Sequence, residues 1–239
     1  MNGWRGAWSL AKFEWRRERI GMMIMLLFIC YLLMIVYSFF NNMNDPDTLK
    51  MSWTVDTLHL ALLPILGFPM NRTIMRAWRE NSFTNRIISL RTLPISVRQI
   101  VAGRLIQLMG TLALGQAVYF IALYAISDTL RGELDIGTYI GFVLFWFGYS
   151  AGIAGTYTFL EQGFSGKTYT LWSFLYLLLY FGTGYVLYNE KQSVTFGVIR
   201  ELQHGNWWYT AGSLLFGVIL ILLVYIFTSM RLKVRSYSR

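Results

Sequence analysis

The sequence is short of the residues that do chemistry. It holds one cysteine and two histidines. The single thiol, Cys30, sits inside an apolar stretch, so no disulfide framework and no thiolate metal site can form within the chain. His59 and His204 stand apart from any His-Glu-x-x-His setting, which excludes a zinc-protease arrangement. Charge is scarce as well. Only 14% of residues are Asp, Glu, Lys or Arg, whereas 55% are hydrophobic and 17% aromatic, far from a soluble average.

What the chain has instead is apolar length. Six segments, at about 20–40, 53–74, 99–126, 137–160, 168–188 and 209–229, are long enough to cross a membrane. About 20 helical residues at ~1.5 Å rise span a hydrocarbon core of ~30 Å. The first is too long for a cleaved signal peptide and lacks a small-residue cleavage pattern. Tyr and Trp gather near the segment ends (Trp15, Tyr37, Trp53, Trp78, Trp172, Tyr188, Trp207, Trp208, Tyr209), as interfacial belts do.

Between the segments, charge alternates in sign. The first, third, fifth and last connections hold 17 basic residues against four acids, a net of +13; the others hold four basic residues against eight acids, a net of −4. The positive-inside rule then places both termini and the loop 71–98 in the cytosol of a multi-pass protein of the cell membrane, plasma or bacterial inner. The overall charge of +9 faces anionic lipid headgroups rather than nucleic acid, which is not an expected partner.

On the cytosolic side, Trp4, Trp8, Ala11 and Trp15 recur at helical spacing beside a stripe of Arg5, Lys12, Arg16 and Arg19. This pattern predicts an amphipathic helix over 1–19 lying in the membrane surface. In the loop 70–100, with six arginines and one acid, Asn81 or Ser82 caps a short helix carrying Phe83, Ile87, Ile88 and Leu90 that ends before Leu93-Pro94. Ser96 and Gln99 form a capping box opening the third span. The short helix is expected to expose Phe83, Ile87 and Leu90 toward lipid or a cytosolic protein.

The stretch from Glu80 to Arg104, with its Leu93-Pro94-Ile95-Ser96 turn and its Ala102-Gly103-Arg104 opening of the third span, resembles the corresponding loop of ABC type-2 permeases. Arg104 stands where lysine is commoner. Six spans, cytosolic termini and an external segment before the last span extend the likeness to the whole chain, 1–239, as a single transmembrane domain. The resemblance implies an all-α half-transporter that pairs with a second permease, itself or a relative. It would dock a cytosolic ABC ATPase through a coupling helix, with Glu80, Phe83, Arg86, Ile87, Leu90, Arg91, Leu93 and Pro94 as the contact. Glu161 and Gln162 offer a second cytosolic contact, or simply a turn.

The interiors of the spans lack Asp, Glu, Lys and Arg away from their ends; Asp56, His59 and Arg104 fall within about two turns of an interface. A carrier driven by an ion gradient normally keeps such groups at mid-membrane, so the energy is expected from outside the bilayer. Gln107, Thr111 and Gln116 are the polar candidates for a translocation path, with interhelical hydrogen bonding the favoured role. The chain itself is not expected to hydrolyse ATP or to bind a cofactor; ATP and Mg belong to the partner. Gly166-Lys167-Thr168 ends like a phosphate-binding loop, but Glu161 occupies the position of the required first glycine. Gly163-Phe164-Ser165-Gly166 has the look of an intramembrane serine protease, yet both histidines fall on the opposite side. Gly141, Gly148, Gly152 and Gly155 predict a close-packing face on the fourth span, met by another helix of the same chain. Pro64 and Pro69 predict a kink in the second. The external segment 189–208 is expected to hold a short helix dipping into the outer leaflet. The competing reading is a non-transporting membrane protein, such as a bacteriocin-immunity or envelope-stress component.

Overall fold

The computed structural model describes residues 3–42, 45, 51–69 and 82–235. All regular structure among them is helical: α1 Gly3–Arg17, α2 Arg19–Asn41, α3 Ser52–Leu62, α4 Ser82–Arg91, α5 Val97–Ile126, α6 Asp128–Glu133, α7 Ile136–Gly163, α8 Gly166–Asn189, α9 Val194–Gln203 and α10 Trp208–Val234. Five of these (α2, α5, α7, α8 and α10) are long and apolar enough to cross a membrane. They coincide with five of the six apolar segments.

The second apolar segment behaves differently. It forms the 11-residue α3 and then a 3-10 turn, Pro64–Gly67, with Phe68 extended behind it. Proline at 64 removes a backbone N–H and crowds the preceding turn, so the α-helical ladder stops there. The expected kink is therefore a helix end. Residues 70–81, with Glu80 and Arg72, Arg76 and Arg79, lie outside the described residues.

Helix α5 is the axis on which the rest assembles. It opens with the expected capping box: the Gln99 N–H donates to Ser96 Oγ at 3.3 Å and the Ser96 N–H to Gln99 Oε1 at 2.8 Å. Helices α1 and α2 run alongside it in the same direction. Gly6 meets Gln99, Ala7 and Leu10 meet Gly103, Trp15 meets Gly110, and Met25 meets Gly115. At the far end Thr129 Oγ1 donates to the Asn41 carbonyl at 2.8 Å. The expected helix α1 forms and follows α5 for about three turns. Its inner face is small or acidic (Ala7, Ala11, Glu14), and Trp4 and Trp8 remain outside.

The tightest helix pair is α7 with α10. The predicted glycine face supplies it within the chain: a Cβ on Gly148 would stand 2.5 Å from the Ser213 backbone, and one on Gly217 would stand 2.5 Å from the Gly148 carbonyl oxygen. That proximity lets side chains bond backbone across the pair, Ser213 Oγ to the Phe145 carbonyl at 2.6 Å and Thr210 Oγ1 to that of Gly141 at 3.0 Å. Helix α9 matches the short helix predicted in 189–208. Its apolar residues Phe196, Val198, Ile199 and Leu202 are buried in the bundle core with Phe40, Phe142 and Trp146.

Candidate functional site at the arginine-rich end

Helices α1, α4, α5 and α7 meet where the basic residues concentrate, and they bury charge there. Arg104 lies about two turns into α5. It donates from Nε and Nη2 to Glu161 Oε2 at 3.2 and 2.7 Å, and from Nη1 to Gln107 Oε1 at 2.8 Å. Gln107 extends the chain of bonds, its amide nitrogen donating to Glu18 Oε2 at 2.9 Å. From α4, Arg86 stands 3.5 Å from Glu161 Oε1 and 2.8 Å from Glu14 Oε2. Arg17, half exposed, closes the edge 2.9 Å from Glu14.

The cluster holds three buried carboxylates, Glu14, Glu18 and Glu161. Against them stand buried Arg104 and the largely covered Arg86. Burial raises the Glu18 carboxyl above its ordinary range, and the nearby Arg104 and Arg86 guanidinium groups oppose that shift. Glu14 Oε2 is within ion-pair distance of both Arg86 and Arg17, yet among the described residues neither Glu14 oxygen accepts a well-directed hydrogen bond, and Gln162 Oε1 accepts none either. Such a cluster is costly to assemble and costlier to break, because removing one partner strands a buried charge.

A crevice of about 20 Å³ opens between Leu10, Glu14, Phe83, Arg86, Ile87 and Gln162. It has room for a water molecule and none for a drug-sized ligand. Chemically the arrangement is a joint: α1, α7 and the consecutive helices α4 and α5 are tied through paired charges and hydrogen bonds. Helix α4 is held from further sides. Arg235 donates to the Gln162 carbonyl and to Thr84 Oγ1, each at 2.7 Å, and Arg91 to the Leu232 carbonyl at 3.4 Å.

These facts redistribute the residues singled out from the sequence. Phe83 and Ile87, expected on the exposed face of α4, are buried at 3% and 4% exposure; Phe83 packs edge-on against Tyr169 at 5.0 Å. The reason is the helix's orientation: residues 83, 86 and 87 share the face that meets α7 and α8. The outward face carries Asn85, Ile88, Ser89 and Arg91, followed by Leu93 and Pro94, with Leu90 at the margin. Glu161 and Gln162, expected as a second displayed contact or a turn, are buried in the last turn of α7. Gln107 and Thr111 are taken up in packing, since Thr111 Oγ1 accepts the Trp15 indole N–H at 3.0 Å and donates to the Gln107 carbonyl at 2.8 Å. Gln116 is buried with both amide atoms unpaired among the described residues. Glu80 lies outside the described residues.

Two participants were not singled out: Glu14 and Glu18. Glu14 on α1 and Glu18 just beyond its end follow Ala7 and Ala11 at helical spacing, so a shared face is legible, but spacing does not name the partners across it. At the opposite end of the bundle, Asp56 and His59, one turn apart on α3, are fully buried. Asp56 accepts from the backbone of α9, and His59 Nε2 bonds Tyr119 Oη at 2.8 Å. No protein-family model, curated protein or solved structure matches the chain.

Proposed function

We propose that the chain is the membrane-spanning permease subunit of an ATP-driven transporter of the ABC type, an exporter, working with a separate nucleotide-hydrolysing partner. The observation that carries this reading is the tie between α4 and the bundle. Arg86 connects a short helix outside the apolar spans to Glu14 and Glu161, and through Glu161 to Arg104 and Gln107 on α5. A push on α4 would reach α1, α5 and α7 through bonded charges rather than through soft packing. Its outward face, Ile88, Arg91, Leu93 and Pro94, is then the docking surface, with Phe83, Arg86 and Ile87 as the transmitting side. The charge distribution supports a cell-membrane location with both termini and α4 in the cytosol. Pairing with a second permease and use of ATP and Mg by the partner belong to the same reading.

The test is purification in mild detergent with assay of co-eluting ATPase activity. The subunit should carry such a partner, and Ile88→Asp with Leu93→Asp should release it while the subunit stays folded. An active preparation with no nucleotide-hydrolysing chain overturns the proposal.

A further inference from the structure

Asp56 is 0% exposed, and both of its oxygens are committed to another helix. Oδ2 accepts the Val194 N–H at 2.9 Å and Oδ1 the Thr195 N–H at 2.7 Å. Those are the first two backbone donors of α9, which have no partner within a helix of their own. The third, from Phe196, goes to Ser193 Oγ at 3.3 Å. A carboxylate 138 residues away in the chain therefore caps α9, with the positive end of the helix dipole facing it.

The surroundings make this cap sensitive to one ligand. His59, three residues on, reaches the same Thr195: its Nδ1 lies 3.4 Å from Thr195 Oγ1 while Nε2 bonds Tyr119. The titratable groups recorded facing the pair are thus each other and Tyr119 from α5. The other recorded neighbours are Phe40 from α2, Trp146 from α7 and Phe196 from α9. No lysine or arginine pairs with Asp56 among the described residues, so the helix terminus is its counter-charge. A proton placed on either oxygen sets an O–H against a backbone N–H, removing one acceptor and the charge together.

We propose that Asp56, with His59 beside it, is a proton-binding site whose occupancy decides whether α9 stays seated in the bundle: ionised Asp56 holds the helix down and protonated Asp56 releases it. The site lies at the opposite end from the α4 joint and stands whether or not the chain works with an ATPase.

The test uses full-length protein in lipid nanodiscs, where both faces are accessible. On a Cys30→Ser background, Val198→Cys reports the buried side of α9, and Gln192→Cys, on an exposed turn, corrects for the pH dependence of the thiol. The ratio of maleimide labelling at 198 to that at 192 should be low near neutral pH. Loss of a charge-assisted bond in a buried site should raise it by at least about tenfold in mild acid. Asp56→Asn should make the ratio high and flat with pH. Gly197→Ala, on the same helix but with open space around the added methyl, should keep the rise and serves as the folded control. A ratio in the parent protein that does not change with pH overturns the proposal, and so does an Asp56→Asn protein that keeps the parent's pH response.

Discussion

At the residue scale the protein is governed by a few charges buried from bulk solvent. Arg104 shows the asymmetry. With Glu161 and Gln107 as partners its burial is tolerable, but Arg104→Met leaves Glu161 with only the longer Arg86 contact. We expect that substitution to cost about 3–5 kcal/mol, and Arg104→Met with Glu161→Met to recover most of it. Unfolding midpoints in detergent check both, and additive losses would contradict the pairing. Glu18 supplies a pH prediction. Its folded pKa is raised by burial, so the folded protein holds that proton more tightly than the unfolded chain. Its contribution is fully present below the ordinary carboxylate pKa and fades as pH rises through the folded value. Relative to Glu18→Gln, whose amide mimics the protonated acid, the parent protein should lose stability as pH rises from the ordinary carboxylate range through the raised folded value. A constant difference across that range would show Glu18 to be less buried in its energetics than in its geometry.

At the element scale, helix contacts here depend on what is missing from a side chain. Gly148 and Gly217 bring α7 and α10 into backbone contact, which sets the reach of the Ser213 and Thr210 hydroxyls. Gly148→Ala places a methyl into the Ser213 backbone and should cost about 1–3 kcal/mol by overpacking. Gly212 on the same helix has nothing near its missing Cβ, so Gly212→Ala should be neutral or stabilise by roughly 0.5–1 kcal/mol. Equal effects at the two sites would mean that helix propensity, not packing, controls the pair. Helix α4 shows the converse. Its extent was legible in the sequence, but which side faces inward was not, because Phe83, Ile87, Ile88 and Leu90 make an apolar arc wider than the contact. Burial of Phe83 against Tyr169 decided it.

At the scale of the whole molecule, the five long apolar helices, the Pro64 break, the Ser96 capping box and the glycine face all follow from local rules. Length against bilayer thickness, proline's missing donor and a side chain's reach to its own backbone need no knowledge of distant residues. The amino-acid order by itself determined those, together with the strict alternation of charge between segments. Only the tertiary structure decided which polar residues meet: Glu18 with Gln107, Arg86 with Glu14 and Glu161, Asp56 with the start of α9. Such pairs join positions 72 to 139 residues apart, and their energy depends on burial that every packed helix contributes to at once. Spacing along one helix reports which face a residue shares, whereas the partner across that face is set by how all the helices close together.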